Sequence, residues 1–448
     1  MQTGFAGKIF LVLGMGRSGQ TTASWLRNQG AEVLTFDDKQ KDQTSSCLLE
    51  EDRIPWESLA AVVQSPGVPY SFPRSHRFTL LAKAKKIPIL TDIDLLCQAN
   101  PESQFIGITG TNGKSTTTAL IGHILQTQGY SCAIGGNIGI PVLSLPSLGT
   151  NGIYVLELSS FQLEISSALP LTIAAWLNFS PDHLDRHGNL DNYLTAKRKI
   201  FLNCHQAVVV KDDPSSAELY QSLIQQGKKV TAISCHHRAD IWVKEGILHD
   251  AHQKCSMDLR SIETLQGLHN YQNASVAYAV CKQMNLSVDA IEKGLRTFPG
   301  LSHRQEIVGR LGHITFVNDS KATNAEAVSH ALVRYQGYRL YWIVGGIAKS
   351  QGIKPLQSFF PFIHQAFLIG QSQQEFAKTF DGKVPYMFSE TLDRALDQAI
   401  QAARQDSSSD KVVILLSPAC ASYDQFESFE HRGDMFRQQV QTALESLR

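Results

Sequence analysis

The sequence predicts an α/β protein with mostly parallel sheets, divided into more than one domain. Short apolar runs alternate with helical patterns from end to end, as in chains built of strand–helix–strand units. The chain has 448 residues, more than a single hydrophobic core usually holds. Two glycine-rich turns each follow an apolar run and open a helical pattern, which is where parallel sheets carry their ligand loops.

Three blocks can be read along the chain. The first runs to about residue 92, with strands at 8–13, 32–36 and 61–64 and a helix from about Ser18. Residues 98–103 read as a break. The second block opens with a strand at 105–109 and a helix from Lys114 to about Gln128. It continues through strands at 153–158 and 173–177 and closes with helices near 270–283 and 288–297. Phe298-Pro299-Gly300 punctuates the chain. The third block has strands near 314–317, 340–344, 366–369 and 412–416.

Composition excludes several classes. Lys plus Arg equals Asp plus Glu, 41 against 41, so the basic excess of a protein that tracks a nucleic-acid backbone is lacking. An anionic ligand must be held by local groups. No apolar run approaches the length of a membrane span, and the run 9–13 closed by Gly14 reads as a strand, not a signal peptide. Eight cysteines without a C-x-x-C pair suit reduced thiols in a cytoplasmic protein. Cys235-His236-His237 reads as a solvated loop, because no second ligand pair stands at metal-site spacing. Nothing suggests an extended apolar patch, and a monomer is expected.

Gly14-Met15-Gly16-Arg17-Ser18-Gly19 matches G-x-G-x-x-G, and Asp37 and Asp38 end the next strand at the acidic position of a dinucleotide fingerprint. By itself this points to NAD and a dehydrogenase. The motif reports a diphosphate-bearing ligand held at a helix N-terminus, not necessarily a nicotinamide. The second turn, Gly110-Thr111-Asn112-Gly113-Lys114-Ser115-Thr116, is a variant phosphate loop with Ile108 where the standard pattern wants glycine. Lys114 can reach the β- and γ-phosphates of a nucleotide and the Ser115 hydroxyl can ligate Mg²⁺. A hydride-transfer enzyme has no use for a triphosphate cradle. An enzyme that couples ATP to a nucleotide-tagged substrate uses both turns.

Glu157 is the one charge inside the apolar run 153–158. A lone buried carboxylate should be paired or bind metal, so Glu157 resembles a Walker-B acid. Asn178 to His187 follow the strand 173–177 and should sit beyond its carboxyl end, where His183 could ligate metal or orient water. Lys197 falls on the apolar stripe of Tyr193, Leu194, Ile200 and Phe201. Such a lysine snorkels or serves a function, and the pattern alone favours snorkelling. In the third block Asn318–Asn324, Gly345–Lys349 and Leu416–Ser422 all leave strand ends. Lys321, Lys349 and Ser422 should therefore line one cleft, suited to a small dicarboxylate or a transferring phosphoryl group.

These segments resemble the Mur ligase family. The resemblance is carried by Gly110 to Thr116, Glu157-Leu158-Ser159-Ser160-Phe161-Gln162-Leu163, Asp182-His183-Leu184-Asp185, His269-Asn270-Tyr271-Gln272-Asn273, His303-Arg304 and Asp319-Ser320-Lys321-Ala322-Thr323-Asn324, which span all three blocks. It implies a Rossmann-like UDP-substrate domain (1–93), a P-loop-type central ATPase (94–298) and a Rossmann-like C-terminal domain for the amino acid (299–448). It implies that ATP phosphorylates the carboxylate of UDP-N-acetylmuramoyl-L-alanine and that the amine of D-glutamate attacks the acyl phosphate. That step belongs to peptidoglycan precursor synthesis, and so to cell wall biogenesis, cell shape and division. By position, Gly110 to Thr116, Asn270, Asn273, Arg304 and Asp319 would hold ATP. Ser115, Glu157, His183 and a carbamylated Lys197 would hold Mg²⁺, with Lys114, His183 and Lys197 catalytic. Arg17, Ser18, Asp37, Asp38 and Asn137 would hold the UDP substrate. Thr323, Lys349, Ser422, Tyr423 and Phe429 would hold D-glutamate. Preference for D over L comes from the resemblance only. The competing readings are a sister ligase for another amino acid, a dehydrogenase using Gly14 to Gly19, and a nucleotide-binding regulator without chemistry.

Overall fold

The computed structural model describes residues 4–38, 54–137, 139–348, 351–405 and 411–447. Two compact units emerge, Met1–Phe298 and Pro299–Arg448, and the punctuation at 298–300 marks their junction. Lys349 lies outside the described residues.

The first unit holds two sheets. Strands β1 (Ile9–Leu13), β2 (Glu32–Phe36), β3 (Leu59–Gln64) and β4 (Ile89–Leu90) form a parallel sheet in the order β2-β1-β3-β4. The glycines of its first turn have separate jobs. Gly14 sits at φ +85°, in the left-handed region. Gly19, in the helix Arg17–Asn28, packs so close to the turn that a Cβ would stand 1.8 Å from Gly14 O. Gly16, at φ −66°, has no atom within 4 Å of where its Cβ would be. The fold requires the outer two glycines. The middle one faces open space, and packing does not require it to be glycine.

The second sheet has nine strands: β5 (Gln104–Thr109), β6 (Cys132–Gly136), β7 (Ile153–Glu157), β8 (Leu171–Trp176), β9 (Cys204–Val210), β10 (Val230–Ser234), β11 (Ile241–Lys244), β12 (Ile247–Asp250) and β13 (Cys255–Asp258). Their order is β13-β12-β11-β10-β9-β8-β5-β7-β6. Every pair from β6 to β11 is parallel, and the last two are antiparallel. The alternating side chains of the central strands feed two cores. Ile106, Ile108, Val155, Ile173 and Ala175 face one. Phe105, Tyr154, Leu156, Ala174 and Trp176 face the other. The apolar runs are continuous because both faces are covered. After β5 the chain goes out to β6 and β7 on one side, then crosses to β8 on the other. The carboxyl ends of β5, β7 and β8 therefore flank a topological switch point, the place where such sheets bind ligands.

The second unit has a six-stranded sheet of β14 (Glu306–Leu311), β15 (Ile314–Asn318), β16 (Arg339–Gly345), β18 (Ile363–Ile369), β19 (Tyr386–Glu390) and β20 (Val412–Leu416), in the order β14-β15-β20-β16-β18-β19. Only the β14–β15 pair is antiparallel. The short strands β17 (Ile347–Ala348) and β21 (Cys420–Ala421) pair with each other. The three polar loops expected to share a sheet edge do so, since they leave the neighbouring parallel strands β15, β20 and β16.

Gly19→Ala should lower the melting temperature by several degrees, corresponding to roughly 2 kcal/mol of overpacking. Gly16→Ala should leave it nearly unchanged. Thermal melts of the two variants beside the wild type check the contrast.

Candidate active site

The loop after β5 is packed from every side. Gly110 takes φ +158°, and a Cβ there would come within 2.8 Å of Leu177 Cβ. Gly113, at φ +84°, caps the helix Lys114–Thr127, and a Cβ on it would meet Asn273 Oδ1 at 2.4 Å. Asn178, directly after β8, clamps the loop. Its carbonyl accepts from Thr111 N (3.0 Å), its Oδ1 from Asn112 N (2.8 Å), and its Nδ2 donates to Asn112 O (3.2 Å). Thr111 Oγ1 lies 3.2 Å from Ser180 O and 3.3 Å from the Tyr193 hydroxyl. The loop is thus preset with the first turn of a helix at its end, where N–H groups lack intrahelical partners and favour phosphate. Lys114 Nζ donates to Gly110 O (3.0 Å) and Thr111 O (2.8 Å). Asn273 is buried behind the loop, accepting from Thr117 Oγ1 (3.2 Å) and donating to Asn270 Oδ1 (3.2 Å).

Glu157 ends β7 beside this loop. The Ser159–Gln162 capping box starts the next helix immediately after it, which fixes where the strand stops. Glu157 is 3% exposed. Its Oε1 accepts from Asn137 Nδ2 (3.3 Å), while its buried Oε2 has no hydrogen-bond partner. A divalent ion fits such an oxygen. Among the described residues no three His, Cys, Asp or Glu side chains converge into a metal cluster. A Mg²⁺ here would share its shell with nucleotide phosphates and water, as that ion commonly does. Asn137 also donates its backbone N–H to Glu157 O (2.8 Å), so it helps to orient the acid.

Lys197 does not snorkel. It is 1% exposed and turned inward from the helix Leu190–Arg198, because its carbon stem fills the apolar stripe and the nearest acceptors lie below it. Nζ donates to Gly110 O (2.6 Å) and approaches Thr109 Oγ1 (3.4 Å), with the Tyr193 ring centroid 5.0 Å away. Burial, and then the charge of Lys114, hold its amine well below the usual lysine range, against the charges of Asp182 and Glu157. His183 stands at φ +52°, half-exposed, with Nε2 3.4 Å from Asp182 Oδ2 and its ring against Phe161. His187, not singled out from sequence, is buried between Phe161 and Tyr193 with Nε2 2.9 Å from Ser160 Oγ. Burial and the neighbouring His183, Arg186 and Lys197 push its imidazole down to about 4. Asn178 and Tyr193 were also missed as contributors, though both lie in the segment after β8 that the sequence marks as polar.

In the N-terminal sheet, Asp37 accepts from Met15 N (2.5 Å), Asp38 stands 3.2 Å from His76 Nε2, and Ser18 Oγ donates to Asp92 (2.5 Å). Arg17 is exposed. In the second unit, Ser422 is buried and Tyr423 is 73% exposed. Phe429 starts the helix Phe429–Ser446 under the Lys321 ammonium, 5.3 Å from its ring, and Thr323 N donates to Lys321 O (2.9 Å). His236 and His237 are exposed, and their N–H groups go to Ser234 Oγ. The seven described cysteines are free thiols.

Asp319 is buried directly after β15, within the field of the Arg304 and Arg334 charges. It accepts from Ser417 Oγ (2.7 Å) and Gln305 N (3.1 Å), and burial pushes its carboxyl up to about 7. A folded-state value above the unfolded one means stability present at low pH and lost as pH rises through roughly 4 to 7, by at most about 4 kcal/mol. Asp319→Asn should therefore remove part of that decline, so that the stability gap between variant and wild type changes between pH 4 and 7. Denaturant titrations across that range check it, and parallel curves would count against the assignment.

The Mur ligase middle domain family matches residues 108–281. The chain is 44% identical to the UDP-N-acetylmuramoylalanine--D-glutamate ligase of Rhodospirillum rubrum, over 97% of this chain and 95% of that one. It is 42% identical to the Agrobacterium fabrum ligase of the same name, over 99% and 97%. Among solved structures, UDP-N-acetylmuramate-alanine ligase from Thermotoga maritima shares the fold at a TM-score of 0.60 and 16% identity, over 97% of this chain and 99% of that one. MurF from Acinetobacter baumannii does so at 0.61 and 18%, over 96% and 91%. On these full-length identities, the chain belongs to the Mur ligase family.

Proposed function

We infer that the chain is an ATP-dependent amide-bond ligase that joins D-glutamate to UDP-N-acetylmuramoyl-L-alanine in peptidoglycan precursor synthesis. The observation that carries the chemistry is the pairing of a preset phosphate loop with Glu157, whose buried Oε2 has no hydrogen-bond partner, at one switch point. The substrate identities rest on the named relatives. A sister ligase for another amino acid has no observation in its favour.

A carboxylate is a poor electrophile until one of its oxygens becomes a leaving group. In the proposed reaction a carboxylate oxygen attacks the γ-phosphorus of ATP, the bond to the β-bridging oxygen breaks, and ADP departs. The amine then attacks the acyl carbon, loses a proton, and inorganic phosphate leaves the tetrahedral intermediate. Lys114 and the N–H groups of the loop neutralise phosphate charge, and the rigid clamp by Asn178 keeps them aimed. Ser115, Glu157 and His183 would hold Mg²⁺, which would supply further charge neutralisation when bound. Lys197 is read as a carbamate. Its buried amine, held well below the usual lysine range, suits the addition of carbon dioxide to nitrogen with loss of a proton, and the product would face the site as an anion.

The division 1–93, 94–298 and 299–448 belongs to this reading. Its first boundary is supported by the separate sheets of β1–β4 and β5–β13. So do the contacts of Asn270, Asn273, Arg304 and Asp319 with ATP, of Arg17, Ser18, Asp37, Asp38 and Asn137 with the UDP substrate, and of Thr323, Lys349, Ser422, Tyr423 and Phe429 with D-glutamate. A monomer in a reducing, cytoplasmic setting is proposed, and the free thiols support the setting. No helix among the described residues is long and apolar enough to cross a membrane.

Phosphate release from ATP should require both UDP-N-acetylmuramoyl-L-alanine and D-glutamate. A wild type that needs a different amino acid would sink the substrate assignment. Lys114→Ala should cost at least ~100-fold in kcat. Lys197→Ala should lose activity to a similar extent and regain part of it with added short-chain carboxylic acids. Full activity of Lys197→Ala in carbon dioxide-free buffer would remove the carbamate from the account.

A further inference from the structure

Among the described residues, one buried charge in the second unit has no counter-ion. Arg432, in the helix Phe429–Ser446, is 1% exposed. Its Nε donates to Ser320 Oγ (2.9 Å), and its Nη2 donates to Ser320 O (2.9 Å) and Cys420 O (3.1 Å). All three acceptors are neutral. Among the described residues no carboxylate lies at ion-pair distance from the guanidinium. The carboxylate whose charge it feels, Asp424, is held by Gln371 N at 3.0 Å. Nη1 lies by Gly346, where a Cβ would come within 3.4 Å of it. Burial lowers the guanidinium only to about 10, so it stays charged at neutral pH.

A buried cation without a counter-ion is costly, and an anionic group of a ligand is one way to supply the missing charge. The place of this one is specific. Ser320 belongs to the loop after β15 that carries Thr323. Cys420 lies two residues before Ser422 in the loop after β20. Gly346 follows β16. Ser320 Oγ donates in turn to Phe429 O at 2.8 Å. The guanidinium therefore lies where the strand-end loops bearing the proposed amino-acid contacts come together, and its fork ties the first two of them to each other. Lysine could not make this three-point fork.

We propose that Arg432 is a positioning and specificity-determining residue for the incoming amino acid. It holds the Ser320 and Cys420 loops in register, and its unneutralised charge biases the pocket toward a dicarboxylic amino acid over its neutral amide. This rests on the assignment of these loops to the amino-acid site made above.

The test compares wild type, Arg432→Lys and Arg432→Met as full-length enzyme, with ATP and UDP-N-acetylmuramoyl-L-alanine saturating and D-glutamate or D-glutamine varied. Melting temperature is recorded for each. Arg432→Met should raise KM for D-glutamate at least ~30-fold, the scale of losing one partner of a buried charge pair. KM for ATP should move less than about threefold, and the preference for D-glutamate over D-glutamine in kcat/KM should shrink. Arg432→Lys should keep much of that preference while losing affinity. If Arg432→Met raises the KM values for D-glutamate and ATP together, or lowers both amino acids equally, the residue is only a structural tie and the proposal fails. It also fails if KM for D-glutamate stays within threefold. A wild type that uses a different acidic amino acid would overturn the D-glutamate reading alone, and that acid against its amide would then decide Arg432. A wild type that accepts only neutral amino acids would overturn the proposal itself.

Discussion

The structure of the first unit depends on the close packing of the loop at 110–113. Gly110 is pressed against Leu177 and Gly113 against Asn273, so neither position has room for a side chain. Both glycines also adopt positive φ, a conformation costly for other residues. Asn178 holds the same loop through three hydrogen bonds, and Lys197 reaches Gly110 O from beneath. A phosphate loop must keep its N–H groups aimed without help from the ligand, since ordering it at the moment of binding would cost affinity. Here the order comes from neighbours contributed by β8, by the helix Leu190–Arg198 and by the helix Leu268–Gln283.

That packing explains why several polar residues are buried so close together. Glu157, Lys197, His187 and Asn273 would each be expensive in an apolar core. Hydrogen bonds to Gly110 O, Ser160 Oγ and Thr117 Oγ1 offset that cost for Lys197, His187 and Asn273. The exceptions carry the chemistry. The unmet oxygen of Glu157 suits a cation. The unfavourable burial of the Lys197 ammonium suits conversion to an anion. Arg432 in the second unit repeats the pattern, with a charge whose partners are all neutral. Stability is given up at these positions for a function the bare chain does not complete.

Much of this was legible in the sequence. The apolar runs at 105–109, 153–158 and 173–177 mark the three strands that flank the site, because a parallel strand buried on both faces cannot alternate with polar residues. Gly113-Lys114-Ser115 marks the turn between strand and helix. The lone carboxylate at Glu157 marks a buried acid. The short strands β6 and β9 to β13 did not stand out, since their apolar runs are brief or mixed with polar residues and their identity as strands comes from pairing. Snorkelling of Lys197 was the natural reading of an amphipathic stripe. It was wrong because the acceptor that draws Nζ inward, Gly110 O, lies 87 residues away in the chain.

The sequence by itself determined the α/β class, the two glycine turns, the strand-end position of the candidate residues and the family, because these follow from local periodicity, turn chemistry and short motifs. Only the tertiary structure decided which of those residues are spent on one another. It set Asn273 behind the loop, Asn137 against Glu157, Asp37 on Met15 N and Arg432 against the strand-end loops of the second unit. Hydrogen bonds and burial depend on what the fold brings within about 3 Å, and no pattern along the chain encodes that distance between residues so far apart in sequence.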